Sequence, residues 1–281
     1  MKNIIFSFLL VLISLNGYSQ PPKYRCNIKE LLIEENNGIV YYKDKPYSGI
    51  WECIYDNGQV MFRGSVVNGK RKNGEWKVYN EDGSIWVLSF YLNGKRTGKF
   101  IEYNDEGGIK SRGYYLNGLQ DSVWELFLND KLYTTHFYKK GKENGKYLKY
   151  DTNGLLDEEG YYSKGLKDSL WQSYIGGKLS KKVFFRNDME HGLSEIYNYR
   201  TGIIEEKGFY VEGNKDGIWE RYNQYGQVEE RCNYMGGNKE GIFERFDYSG
   251  QIIEKGLFKD GLKDGEWQYF MNGKLYRKTK Y

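Results

Sequence analysis

Residues 214–237 read NKDGIWERYNQYGQVEERCNYMGG, and versions of this stretch recur along most of the chain. Each version is marked by a triplet of glycine, any residue and an aromatic residue, here Gly217-Ile218-Trp219. Ten triplets follow one another at intervals of 23 to 25 residues. Such a period is typical of a small unit that cannot bury its own apolar face and therefore packs against copies of itself. The sequence thus predicts a repeat protein.

We number the repeats as units 1 to 10 after the first residue of each triplet: Gly49, Gly74, Gly98, Ser122, Gly145, Ser169, Gly192, Gly217, Gly241 and Gly265. Serine replaces the glycine in units 4 and 6, and Ser194 of unit 7 is the only non-aromatic third residue. Because a repeat array spreads its function over a long surface, no single motif in it names a reaction.

Unit 8 shows the expected local structure. Aromatic and β-branched residues between clusters of Gly, Asn and Asp predict strands at 217–222 and 227–235, with turns at 223–226 and 236–237. The preceding residues 214–216 are predicted to form a charged turn. Tyr222 follows Trp219 by three positions, so pure alternation would place the two rings on opposite faces. Either both faces carry aromatic rings or the strand is kinked.

The second strand of a unit follows its own rule, seen in unit 7 as Ile204, Gly208 and Tyr210. An aliphatic residue is followed four positions later by a small residue and six positions later by a ring. These even offsets predict that the three side chains share one face of the strand. Glycine inside a strand often marks a close approach, so we expect Gly208 to make room for a ring of the neighbouring strand.

The bulk composition limits the fold and the partners. Of the 281 residues, 39% are hydrophobic and 17% are aromatic, which favours a thin sheet over a thick core. The formal net charge of +4 is too balanced to predict nucleic-acid binding through neutralised phosphates. The prolines, Pro21, Pro22 and Pro46, all precede unit 1, so no proline interrupts the strands of the array.

Residues 1–19 are predicted to be a cleaved signal peptide, with Lys2 as its positive region and cleavage before Gln20. The apolar run 4–15 is shorter than the ~20 residues that span a bilayer, so no transmembrane segment is expected after cleavage. The ending Ser-Gln resembles leaders of Gram-negative Bacteroidota, which implies a periplasmic or secreted protein. We expect an N-terminal lead and cap at 20–46 and the repeat array at 47–281.

The three cysteines, Cys26, Cys53 and Cys232, leave two interpretations open. A Cys26–Cys53 disulfide would tie the lead to unit 1 and stabilise the fold by up to ~3 kcal/mol in the loop-entropy model. Alternatively, all three are buried free thiols that act as small hydrophobic residues. Two histidines and three scattered cysteines form no ligand motif, so no metal and no cofactor are expected.

The order of Asn-Gly, Gly-x-Trp-x-x-Tyr and a tyrosine-ended strand resembles the bacterial variant of the MORN repeat, whose members are often labelled YwqK-family antitoxins. The opening Lys45-Pro46-Tyr47-Ser48-Gly49 is similar to the start of such arrays, and the resemblance covers about residues 39–281. It implies an all-β fold, an elongated, twisted, single-layer antiparallel sheet of about ten consecutive β-hairpin repeats.

An enzyme needs a singular set of catalytic residues, whereas nearly every polar residue here belongs to a repeated pattern, so we expect no catalysis. The favoured function is an exported scaffold for protein–protein interaction in the cell envelope, because exposed Tyr and Trp supply binding energy. One alternative is carbohydrate or cell-wall binding through aromatic rows, and another is immunity against an exported toxin. The candidate binding or stacking aromatics are Trp51, Trp76, Trp124, Trp171, Trp219, Trp267, Tyr115, Tyr162 and Tyr210.

Overall fold

The computed structural model describes residues 24–26, 31–34, 39–42 and 45–281, and it gives side chains for 45–70 and 73–281. The predicted signal peptide, residues 1–19, and most of the predicted lead lie outside the described residues. Within the described ranges, every regular element is a β-strand. This agrees with the all-β prediction.

The short strands of the N-terminal lead are β1 (Tyr24–Cys26), β2 (Leu31–Glu34), β3 (Ile39–Tyr42) and β4 (Lys45–Pro46). The strands of units 1 to 5 are β5 (Gly49–Tyr55), β6 (Val60–Val67), β7 (Lys70–Tyr79), β8 (Ile85–Leu92), β9 (Lys95–Tyr103), β10 (Ile109–Leu116), β11 (Leu119–Leu128), β12 (Lys131–Lys139), β13 (Lys142–Tyr150) and β14 (Leu156–Ser163). Those of units 6 to 10 are β15 (Leu166–Ile175), β16 (Lys178–Arg186), β17 (Met189–Tyr197), β18 (Ile204–Val211), β19 (Asn214–Tyr222), β20 (Val228–Met235), β21 (Asn238–Phe246), β22 (Ile252–Lys259), β23 (Leu262–Met271) and β24 (Lys274–Lys280).

The chain divides into two compact parts. The N-terminal part extends to Lys131 and includes Tyr138–Gly141, and the C-terminal part comprises Leu132–Phe137 and Lys142–Tyr281. In the N-terminal part, each strand from β5 to β11 pairs antiparallel with the next, and β1 pairs with β5. In the C-terminal part, the same holds from β13 to β24. The predicted sheet of consecutive hairpins is therefore confirmed in each part.

Successive units are joined by turns of two residues, both with positive φ. Glu212 and Gly213, for example, have φ values of 50° and 81°. These are the dihedrals of a type I′ turn, whose twist matches that of the flanking strands. The tight turn allows β19 to begin at Asn214, so the prediction of a charged turn at 214–216 is wrong. Gly217, with φ of 69°, is instead a left-handed residue inside the strand.

In several units the residue before the triplet stabilises the turn that leads into the next unit. The backbone N–H of Asp260 donates to the Glu240 carboxylate at 2.8 Å, and that of Lys164 donates to the Asn144 side chain at 3.2 Å. Acidic and Asn side chains at this position therefore satisfy a backbone donor about twenty residues later. Their repetition follows from turn geometry.

The two faces of the sheet carry different side chains. In unit 8 the Tyr222 hydroxyl donates to Glu220 at 2.6 Å, so these two side chains lie on one face, which we call the outer face. Trp219 lies between Glu220 and Ile218 in the strand and points to the opposite, inner face. Both alternatives drawn from the sequence hold here: aromatic rings lie on both faces, and the pairing of β19 with β20 shifts register between Arg221 and Tyr222.

One prediction for the second strand is wrong. Ile204 pairs with Tyr197, whereas Glu206, two residues later, pairs with Ile196, the residue directly before Tyr197. This β-bulge shifts the alternation, and because paired residues share a face, Ile204 lies on the outer face with Tyr197. Gly208 and Tyr210 remain together on the inner face.

The core lies on the inner face, where tryptophan rings cover glycines of the preceding strand. A side chain added at any of these glycines would overlap an indole. The pairs are Gly64 with Trp76, Gly113 with Trp124, Gly160 with Trp171, Gly208 with Trp219 and Gly256 with Trp267. The prediction that this glycine makes room for a neighbouring ring is confirmed.

Glycine–tryptophan pairs alternate with a second kind of pair, so the structural period is two units. In the intervening units a larger residue faces a smaller one: Ser89 faces Phe100, Val183 faces Ser194 and Cys232 faces Phe243. Where the second-strand residue is glycine, its partner is therefore the large tryptophan ring. Where that residue has a side chain, its partner is smaller. This compensation keeps the volume on the inner face roughly constant.

Candidate interaction surface

The aromatic residues singled out from the sequence lie on the inner face. Five of the tryptophans are at most 6% exposed: Trp76, Trp124, Trp171, Trp219 and Trp267. Trp51 is half-buried against Phe62 and Trp76, at ring-centroid distances of 4.9 and 6.0 Å. The five buried indoles stack within the protein and have no free face to offer a ligand.

The three tyrosines of the same candidate set are half-buried beside those indoles. Tyr115, Tyr162 and Tyr210 contact Trp124, Trp171 and Trp219 edge to face, at centroid distances of 5.1, 5.1 and 5.0 Å. Edge-to-face pairs of this kind add about 0.5–1.5 kcal/mol beyond simple burial. These rings are therefore part of the packing that holds a single-layer sheet together.

Lysine side chains cover several of the inner-face rings. The Lys215 ammonium lies 3.7 Å from the centroid of Trp219 and 2.7 Å from the Glu206 carboxylate. Lys167 and Lys263 repeat this arrangement, each 3.8 Å from the centroid of its own tryptophan. An ammonium above an indole face is attracted by the ring quadrupole.

Unit 7, in which Ser194 replaces the ring, inverts this charge pair. Glu190 occupies the position of the lysine, and Lys181 occupies that of the glutamate, with 2.7 Å between their charged atoms. Without a ring there is no π face to favour the cation at this position, whereas an ion pair of either polarity satisfies both groups. The inversion thus preserves the pair but loses the cation–π contact.

Two features, a polar cluster and a shallow pocket, interrupt the regular pattern. In the polar cluster, His136 contacts Glu143 at 2.6 Å and Thr134 at 3.1 Å, the connectivity of a nucleophile, base and acid. Thr134 is only 4% exposed, so a substrate has no access to its hydroxyl.

The second feature is a shallow pocket of about 610 Å³, which lies beside the turn at 198–203. Its charged residues are already engaged, Arg221 with Glu230 at 3.2 Å and Glu206 with Lys215.

The outer face carries a row of mostly apolar side chains, of which Leu170 and Leu193 are half-buried and the other apolar members are exposed. Within a unit two members of the row are direct partners, since Leu170 pairs with Phe184, Leu193 with Phe209 and Ile242 with Leu257. Between units the register shifts, so that Phe209, for example, pairs with Asp216. From β14 to β22 it comprises Tyr161, Leu170, Phe184, Leu193, Phe209, Ile218, Asn233, Ile242 and Leu257, one residue per strand. We call this set the apolar row.

Exposure and length distinguish the apolar row from scattered surface residues. Phe209, Ile218 and Ile242 are 54%, 57% and 61% exposed, and only Asn233 is polar. At ~4.8 Å between strands, nine strands span ~38 Å. Contiguous apolar patches of several hundred Å² on soluble proteins mark interaction sites. The row is therefore the strongest candidate for a binding surface among the described residues.

A row of alternating charges runs beside the apolar row. It consists of one residue from each strand from β16 to β22: Lys182, Glu195, Lys207, Glu220, Arg231, Glu244 and Lys255. Each member pairs with the next in the antiparallel register. We call this set the charge row.

Hydrogen bonds stabilise the charged form of Glu220 in the charge row. Burial opposes ionisation of Glu220, but hydrogen bonds from Tyr222 and Arg231 outweigh it, so the pKa of Glu220 is lowered. Burial and the hydrogen bond to Glu195 raise the pKa of Tyr197 to about 12. Glu220 is therefore held by hydrogen bonds from two side chains as a charged acceptor on the outer face.

Adjacent aromatic residues in the sequence carried a signal for the outer rings. They occur as Tyr161-Tyr162 and Phe209-Tyr210, and neighbours in a strand point to opposite faces. Tyr162 and Tyr210, the members predicted to bind or stack, lie on the inner face. Their neighbours, 49% and 54% exposed, are the residues available to a partner.

The cysteines are placed as follows. The backbone of Cys26 pairs directly with that of Cys53, and Cys53 is buried and disulfide-bonded. The side chain of Cys26 lies outside the described residues, so the Cys26–Cys53 bond stays a prediction. Cys232 is a buried free thiol, and burial raises its pKa to about 11. No group of three or more metal-ligating side chains is present within the described side chains.

Two segments match a family profile described as the MORN repeat variant, residues 72–95 and 239–260. These segments coincide with the hairpins β7–β8 and β21–β22, each with its triplet in the first strand. Two hairpins of this chain thus match the MORN repeat variant. MORN repeats are generally modules that interact with proteins or membranes, and their scaffold is generally non-catalytic. Membership of the YwqK-family antitoxin subgroup stays a prediction.

Other comparisons add little to this MORN assignment. No curated protein matches the chain. One solved structure, titled "Crystal Structure of TcdB2-TccC3-Cdc42", aligns at 11% identity with a TM-score of 0.21 and covers 78% of this chain. The chain spans only 14% of the length of that protein, and the overlay supports no shared architecture. None of the described residues forms a helix long and apolar enough to cross a membrane.

Proposed function

We propose that this MORN-repeat chain is a non-enzymatic, exported scaffold of the cell envelope that binds a protein through its apolar row. The observation that supports this most directly is the exposure of Phe184, Phe209 and Ile218 on nearby strands of the outer face, at 40%, 54% and 57%. Aromatic and aliphatic anchors on a rigid surface are typical of protein interfaces. The pattern of the first nineteen residues supports export.

The composition of the row favours a protein over a glycan. Sugar recognition by stacking needs exposed ring faces, with polar groups nearby for the hydroxyls. Here the rings of Phe184 and Phe209 alternate with the aliphatic Leu170 and Leu193, which cannot stack on a sugar. Aliphatic and aromatic residues together match the apolar side chains of a protein partner.

The test compares two double variants in capture from an envelope extract. Phe209→Ser with Ile242→Ser removes two anchors of the row. Tyr225→Ser with Tyr248→Ser is the matched control, since these turn residues are even more exposed, at 68% and 75%, but lie off the row. We expect the first variant to lose partners that the wild type and the control retain. Equal capture by all three proteins would exclude the row as the binding surface.

Two further measurements test the remaining parts of the proposal. A glycan array is probed with the wild-type chain and with the double variant Phe209→Ser, Ile242→Ser. We expect no glycan that binds the wild type but not the variant. Intact-mass measurement of the envelope protein should show that residues 1–19 are absent. Row-dependent glycan binding would favour carbohydrate recognition, and a full-length product in the membrane fraction would contradict signal-peptide cleavage.

A further inference from the structure

We propose that the outer face of the C-terminal part docks against the same face of a second copy of this chain. The inference rests on the proposed function, because it names a partner for the apolar row. It is carried by a property of the charge row that a surface for unrelated partners would not need: the row is complementary to itself. Its seven members alternate in sign from Lys182 to Lys255 without interruption.

A two-fold axis makes this complementarity explicit. When the axis runs parallel to the strands, rotation reverses the order of the strands but keeps each residue at the same height along its strand. The apolar row of one copy then faces the apolar row of the other, and the charge row faces the charge row. Two copies packed in this way have aligned strands, as in the usual packing of two sheets.

The position of the two-fold axis follows from the signs of the charges in the charge row. An axis between β18 and β19 places Lys207 opposite Glu220 of the second copy, and Glu195 opposite Arg231 of the second copy. Lys182 then lies opposite Glu244 of the second copy. The same axis places β18 opposite β19 of the second copy, so that Phe209 and the second copy's Ile218 lie near each other at the centre of the apolar row. An axis through a strand would instead place like charges opposite each other.

The two rows contribute differently to such a contact. Charges at a solvent-exposed interface add little net affinity, but a wrong register that opposes like charges is disfavoured. The apolar row supplies the association, and the charge row selects the register.

The area of the apolar row predicts how strongly two copies associate. A strip ~38 Å long and about 14 Å wide covers about 500 Å² on each copy, or about 1,000 Å² in total. This is below the ~1,200 Å² at which standard stable complexes begin, and it lies in the range of weak, transient ones. We therefore expect a reversible dimer with a dissociation constant in the micromolar range, on the order of 10–100 µM.

Charge reversal provides the decisive experiment, in sedimentation equilibrium of the whole chain from about 1 to about 500 µM. One variant carries Glu195→Lys, Glu220→Lys and Glu244→Lys, and the other carries Lys182→Glu, Lys207→Glu and Arg231→Glu. Each variant alone should be monomeric because like charges face each other. An equimolar mixture should form dimers. Circular dichroism melting confirms that both variants are folded.

If charge reversal prevents folding, the double variant Phe209→Ser with Ile242→Ser tests the same surface. It should weaken self-association at least tenfold, whereas Tyr225→Ser with Tyr248→Ser should leave it unchanged. A wild-type chain that stays monomeric throughout overturns the inference but leaves the proposed function intact if the apolar variant still loses a captured partner. Self-association that none of the row variants alters overturns the inference as well, since another surface must then be responsible.

Discussion

Gly208 lies directly against the indole of Trp219, and the indole N–H donates to the Phe209 carbonyl at 3.0 Å. The glycine lies at a register shift, where β18 passes from Lys207 paired with Glu220 to Phe209 paired with Asp216. The ring therefore fills the space left by an absent side chain and bonds a carbonyl next to the irregularity. The same pair occurs in alternate units and is the basic packing contact of the array.

Gly208→Ala should destabilise the protein because the added methyl group overlaps the Trp219 ring. Overpacking of this kind costs about 1–3 kcal/mol. Cys232→Ala provides the matched control, since Cys232 faces Phe243 and its position already accommodates a Cβ. The free energy of unfolding in urea is the measurement. A loss for Gly208→Ala no larger than that for Cys232→Ala would contradict the close fit.

Trp219→Ala should cost about 3–5 kcal/mol, because the ring is 3% exposed and its removal leaves a cavity. In a repeat array each unit contacts mainly its neighbours, so protection should fall first in β18 to β20. Amide hydrogen exchange followed along the chain reports this. Uniform deprotection of every described strand would show a single cooperative core instead.

Ser169→Gly should raise stability, because Ser169 holds a left-handed conformation with φ of 62°. This conformation costs a non-glycine residue about 1–2 kcal/mol, and glycine avoids the penalty at some expense in chain entropy. A net gain of up to about 1 kcal/mol is expected. Ser173→Gly, at a paired strand position, should have the opposite sign. Thermal unfolding of both variants measures the difference, and a loss of stability in Ser169→Gly would refute the argument.

Stability should fall in acid through the outer-face carboxylates. The folded-state pKa of Glu220 is lowered, so its contribution is present above the unfolded pKa of about 4.3 and is lost as pH falls through the folded value. Glu220→Gln should reduce the acid dependence of the unfolding free energy below about pH 4.3. Glu229→Gln, at a half-buried position beyond the charge row, is the control. Identical acid profiles for wild type and Glu220→Gln would show that the carboxylate is not stabilised by folding.

The repeating triplet and the period it sets were enough to predict a sheet of consecutive hairpins. In Gly217-Ile218-Trp219, a residue that can adopt positive φ stands beside β-forming residues. These conformational preferences are local, so they can be predicted without knowing which strands pair. The close approach at Gly208 was also predictable, because a glycine that recurs inside a strand at a constant spacing from a tryptophan is typical of a ring packed against the backbone.

Tertiary structure alone decided which side chains face the solvent. Ile204 changed faces because of a bulge, and bulges arise from hydrogen-bond register between strands, which no single strand encodes. The buried position of Trp219 and the exposed position of Phe209 depend on that same register. Periodicity therefore determined the elements, and the pairing of neighbouring strands determined which of two adjacent rings, Phe209 or Tyr210, became surface.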